Sequence, residues 1–149
     1  MKRLCWLIGL LVIGVSTGCN SDIVTNPGLK KLDHKCVYLS SIESDNPNVG
    51  KVIKNIIEKE FMRKKIELCD FDTATVLITG AAFMTARATS SGSFFGRSST
   101  STQAIESVSV VAKDRNGQVL LSASYDNRDR YSASKLAREF GSALADKLK

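Results

Sequence analysis

The sequence predicts an α+β fold, a two-layer sandwich of order β-α-β-β-β-α with a mixed sheet and two helices packed on one face. Three observations carry this expectation. Apolar residues recur at spacings of three and four over residues 49–61 and again over 136–148, which is the period of an amphipathic helix. Other segments alternate apolar and polar residues, which is the period of a strand with one buried face. Asn116-Gly117 lies between two of these, a pair that tolerates the positive φ angles of a tight hairpin. Helices and strands with one apolar face each are all satisfied when both helices cover the same side of the sheet. The length of 149 residues suits one domain. With 43% hydrophobic and 24% charged residues, wholesale disorder is excluded.

Taken in order, MKRLCWLIGLLVIGVSTGC opens with Lys2 and Arg3, continues apolar from Leu4 to Val15 and ends in small residues before Cys19. About 12 apolar residues are fewer than the 17–25 or so a helix needs to cross a bilayer, so residues 1–18 read as a cleaved export signal. Residues 19–34, with Pro27, Gly28 and no sustained periodicity, are expected to be a lipidated N-terminus and flexible tether. A single domain is expected over 35–149. Its first strand is CVYLSSI at 36–42. Asn46-Pro47 suits a helix cap with proline in the first turn. The helix stripe is Val49, Val52, Ile53, Ile56, Ile57 and Phe61, and Arg63, Lys64 and Lys65 stand at its C-terminal end, where cations complement the dipole.

IELCDF at 66–71 reads as a short strand and ATVLITGAAFMTAR at 74–87 as a long one, with Gly80 marking a bend or a close backbone approach. The Ser/Thr-rich stretch 88–103 is expected to be a long loop. AIESVSVVAK, the DRNG turn and QVLLSASY form the hairpin, and Ser132 or Ser134 caps a last helix carrying Leu136, Ala137, Phe140, Ala143, Leu144 and Leu148. The open sheet face would show Thr75, Thr79, Ser107, Ser109, Ser122 and Ser124.

Chemistry-bearing residues are few. His34 is the single histidine and falls in the tether. No histidine and cysteine set has the spacing of a zinc site, and no phosphate, dinucleotide or nucleophile-elbow motif occurs. No metal, no cofactor and no catalytic residue are therefore expected. The acid pairs Asp70/Asp72 and Asp126/Asp129 lack a histidine partner or an EF-hand pattern and read as solvated loop acids. The net charge of +6 includes Lys2 and Arg3 of the signal. It forms no dense basic stripe, so nucleic acid is not an expected partner.

Cys36 and Cys69 form an even pair that invites a disulfide in an oxidising compartment, against two separate buried thiols. If the strands at 36–42 and 66–71 are parallel neighbours, the two cysteines would sit at opposite ends, and bonding them would need a shifted register. In the 88–103 stretch, Phe94, Phe95 and Arg97 are the candidate partner-binding residues.

Ser16-Thr17-Gly18-Cys19 resembles the bacterial lipoprotein box, in which the cysteine becomes the acylated first residue. Ser16 departs from the usual leucine, and an ordinary signal peptidase site fits the same small residues. Asn20 resembles the outer-membrane sorting pattern. The run Ala74, Thr75, Val76, Leu77, Ile78, Thr79, Gly80 and the later Asp114, Gly117, Val119, Leu120 together resemble the envelope lipoproteins of the curli secretion channel family, the penicillin-binding-protein activator lipoproteins and the TolB N-terminal domain. Thr75 stands where that group has aspartate. The resemblance implies a non-catalytic domain that docks on an envelope protein.

The expected function is an exported, lipid-anchored outer-membrane lipoprotein facing the periplasm, acting as adaptor or assembly factor. Its alternatives are a subunit of an oligomeric outer-membrane secretion pore and a small periplasmic hydrolase.

Overall fold

The computed structural model describes residues 21–31, 35–93, 96–127 and 131–149. Strand β1 (Ser21–Thr25) leads into a 3-10 turn at Pro27–Lys31, then β2 (Cys36–Ser44), helix α1 (Pro47–Arg63), β3 (Glu67–Leu68), β4 (Val76–Ser93), β5 (Gly96–Lys113), β6 (Val119–Asp126) and α2 (Ala133–Leu148). The sheet order is β1-β6-β5-β4-β2-β3. β2 runs parallel to β3 and β4, and the other neighbours are antiparallel, so the sheet is mixed and the fold α+β.

The helices begin where the sequence places them. The Asn46 side chain accepts from the Asn48 amide at 3.1 Å ahead of Pro47, and Ser132, not Ser134, caps α2. At the other end of α1, Lys65 adopts φ 62° while the Ile66 amide donates to the Phe61 carbonyl at 2.9 Å. A left-handed residue with this long return bond is the closure that glycine usually provides.

Both helices bury most of their stripes on one sheet face, while Val52 of α1 stays exposed. Ile53, Ile57 and Phe61 of α1 meet Phe140, Leu144 and Leu148 of α2 over Val37, Leu39, Val76, Ile78, Val108, Val110 and Leu121. Each large side chain so buried stabilises the fold by roughly 1.5–3 kcal/mol. Close approach requires small residues at two places. A Cβ on Gly50 would overlap the Ile42 carbonyl, and one on Gly80 would come within 2.7 Å of the Ser109 carbonyl and 2.9 Å of Ile42 Cδ1.

Three expectations are corrected. Within the expected tether 19–34, residues 21–31 are not free: β1 pairs with β6 from Ser21↔Tyr125 to Thr25↔Leu121, and Leu29 is buried in the core. The sheet has six strands, more than the β-α-β-β-β-α order provides. Within the expected loop 88–103, residues 88–93 and 96–103 are strand, because β4 and β5 remain paired as far as Ser93↔Gly96.

Candidate functional site

The extended β4–β5 hairpin dominates one end of the molecule. Its neighbours stop early: β2 follows β4 to Ser44↔Ala82, and β6 follows β5 to Asp126↔Ser107. Beyond these points the hairpin continues as a two-stranded ribbon, Met84–Ser93 against Gly96–Ile105, with no further strand pairing on either outer side among the described residues. At about 3.3 Å per residue ten residues reach some 33 Å from the sheet.

Two features fix the root of this ribbon. The register shifts between Phe83 and Met84, so Phe83 pairs with Ser107, Met84 with Ile105, and Glu106 is the extra residue. Such a bulge bends and twists a strand where regular pairing changes. Beside it, Asn127 is buried. Its Nδ2 donates to the Ile105 carbonyl at 2.8 Å and the Tyr131 carbonyl at 2.9 Å, while its Oδ1 accepts from the Tyr131 amide at 2.6 Å. Its own amide donates to the Glu106 carbonyl at 2.8 Å. One side chain thus ties the exit of β6 to the place where the ribbon departs.

β1 also begins at this end, since Ser21 pairs with Tyr125, Tyr125 with Val108 and Val108 with Ala82. The chain that follows Cys19 therefore enters the sheet beside the ribbon's root. Cys19, Phe94, Phe95, His34 and Asp129 lie outside the described residues. Arg97 belongs to β5 and pairs with Gly92.

The open sheet face carries exposed Thr79, Ser122 and Ser124 and half-buried Ser107 and Ser109. Thr75 is not on it. Its hydroxyl accepts from the Cys36 amide at 3.0 Å and lies 3.2 Å from the Cys36 carbonyl, tying β2 to the start of β4. This face also has apolar members absent from the expected set, Val24 and Phe83, which are 63% and 58% exposed.

Cys36 and Cys69 are bonded to each other, with Cα atoms 5.7 Å apart. The anticipated separation does not arise because β3 is only two residues long. Cys36 pairs with Glu67, and the Cys69 amide donates to the Val37 carbonyl at 2.9 Å, which brings the two sulfurs together in the ordinary register. Glu67 lies close to the pair, but bonded sulfurs offer a cation no thiolate.

Among the cavities, one of 390 Å³ opens between α1 and α2, lined by Glu60, Arg63, Tyr125, Arg138, Glu139 and Asp146 with two smaller residues. Buried Glu60 is held there by Arg63, whose Nη1 lies 2.9 Å from both carboxylate oxygens. Lys64 Nζ meets Asp146 at 2.9 Å and joins the helices. The first members of the two acid pairs singled out in the sequence belong to opposite ends of the sheet. Asp70 follows β3 near the DRNG end of the sheet, whereas Asp126 ends β6 at the ribbon's root.

No family model matches the sequence, and no curated protein does. Solved structures do share the fold. A PelC dodecamer from Paraburkholderia phytofirmans is similar over 86% of this chain and 95% of its own, at 16% identity and a TM-score of 0.55. A PDZ domain protein from Parabacteroides distasonis is similar over 85% of this chain at 17% identity and a TM-score of 0.55, and this chain spans 34% of that protein. At such identities the likeness is one of fold.

Proposed function

We propose that this chain is an exported, lipid-anchored envelope protein that acts without catalysis, as a subunit that assembles with copies of itself and docks on a secretion or assembly partner at the outer membrane. The observation that carries this reading is a fold shared, over 86% of this chain and 95% of the other, with a protein that forms a dodecamer. The apolar leader ending at Cys19 supports export and acylation. The likeness of residues 74–80 and 114–120 to the curli secretion channel, penicillin-binding-protein activator and TolB group points the same way.

A pore whose hairpins line the bilayer is less well supported. A membrane strand needs an alternating apolar face, and residues 86–93 and 96–103 contain no valine, isoleucine, leucine, methionine or aromatic residue.

Radioactive palmitate should label the wild-type chain and not Cys19→Ala; an unlabelled wild type would remove the anchor from this proposal. Native mass spectrometry of the full chain in mild detergent should give multiples of the protomer. A monomer at tens of micromolar would remove self-assembly. Turnover on a hydrolase panel that is lost in Asp70→Ala or Asp126→Ala would overturn the non-catalytic assignment.

A further inference from the structure

Sheet edges are managed in proteins because an unpaired row of N–H and C=O groups is a template for another strand. This molecule manages two of its edges by shortness, with five residues in β1 and two in β3. The ribbon edges are different. Over residues 84–93 and 96–105 there is no proline, lysine, aspartate or glutamate, and Arg87 and Arg97 are the only charges. Nothing in that composition discourages a neighbouring strand.

Nor does the ribbon hold itself. A two-stranded hairpin is marginal in water unless an apolar face is buried. Residues 86–93 and 96–103 are serine, threonine, glycine, alanine, arginine and glutamine throughout. Their pairing nevertheless runs without interruption from the bulge to Ser93↔Gly96. Serine- and threonine-rich strands that are polar on both sides specify register weakly and accept lateral partners.

Resting on the self-assembly proposed above, we infer that the ribbon is where copies meet: the outer edge of β5 in one copy pairs with the outer edge of β4 in the next. β4 and β5 run in opposite directions, so this addition continues the antiparallel pattern across the subunit boundary. The two edges differ, which makes the contact head-to-tail, and a head-to-tail contact that closes gives a ring. A ring of this kind agrees with a dodecamer of the same fold. The body is six strands wide and the ribbon two. At about 4.8 Å per strand, neighbouring ribbons meet only by leaning toward the ring axis, with the bodies outside. The missing apolar face keeps this collar in water.

Two experiments on the full chain test the inference. In the first, residues 86–103 are replaced by Asn-Gly, joining the register partners Thr85 and Ala104. The shortened chain should be monomeric in native mass spectrometry, with a thermal midpoint within a few degrees of wild type. If it assembles as the wild type does, copies meet elsewhere and the inference fails while the proposed self-assembly stands. If the wild type is itself monomeric, the self-assembly reading fails. In the second, a Ser90→Cys chain is mixed with chains carrying cysteine singly at Ser98 to Thr102. At least one mixture should give a mixed disulfide dimer in at least tenfold excess over either self-dimer. Dominant self-dimers of Ser90→Cys would overturn the head-to-tail pairing, and this result holds even where the shortened chain fails to fold.

Discussion

Replacing Cys36 and Cys69 together by alanine opens a loop that encloses most of β2, all of α1 and β3, the bonded residues being 33 positions apart. Chain-entropy bookkeeping for a loop of that length gives a loss of about 3.7 kcal/mol at 25 °C. Unfolding entropy is about 2.1 cal/mol/K per residue, so the thermal midpoint should fall by roughly 10–15 °C. With a urea slope of about 1–3 kcal/mol/M, the midpoint should move by ~1–4 M. Cys36 is also buried, so the double variant loses some packing. Wild type unfolded with and without dithiothreitol separates that loss from the crosslink. Urea titrations followed by circular dichroism should place the reduced wild type and the double variant close together, both well below the oxidised protein. An oxidised protein within about 1 kcal/mol of the reduced one would refute the assignment of loop constraint to this bond.

Three further substitutions probe the local arguments. Gly50→Ala puts a Cβ against the Ile42 carbonyl and should cost about 1–3 kcal/mol in chemical denaturation; a neutral result would mean that α1 does not approach β2 so closely. Asn127→Ala leaves the Ile105 and Tyr131 carbonyls without their shared donor and should cost about 2–3 kcal/mol. Asn127→Asp, which keeps only the acceptor, should rescue little of it, and full rescue would contradict the donor role. Lys65→Gly relieves a left-handed residue at the end of α1 and should raise stability by about 0.5–1 kcal/mol, read as a higher thermal midpoint.

What was legible in the sequence depended on contrast between apolar and polar positions. Ile53, Ile57 and Phe61, or Leu136, Phe140 and Leu144, announce their helices because the opposite faces are charged or polar. Asp114-Arg115-Asn116-Gly117 announces its turn through local chemistry: Asp114 Oδ1 accepts from the Asn116 and Gln118 amides at 2.9 and 2.8 Å, and Gly117 takes φ 83°. β1 lacked such contrast. It is an edge strand whose attachment rests on Ile23 and the following Leu29, too few residues for a period to be recognised.

The ribbon was missed for a related reason. Serine and threonine on both sides leave no alternation to read, and the pairing is propagated from the apolar roots of β4 and β5. Asn127 was invisible because its partners are backbone groups, which any sequence supplies. The cysteine geometry was misjudged because a six-residue strand was expected where two residues pair, and a shorter strand moves Cys69 beside Cys36.

The early start of β1 changes what an acyl chain on Cys19 would accomplish. A free linker of fifteen residues would let the domain wander through a sphere of roughly 20 Å, so the lipid would set only its whereabouts. With Ser21 already committed to the sheet, Asn20 alone would separate lipid from folded protein. Attachment would then govern bearing as well as position, and every copy would be held in the same orientation relative to the bilayer. Neighbours aligned in that way have surrendered most of their rotational freedom before they touch, which lowers the entropic cost of joining edge to edge.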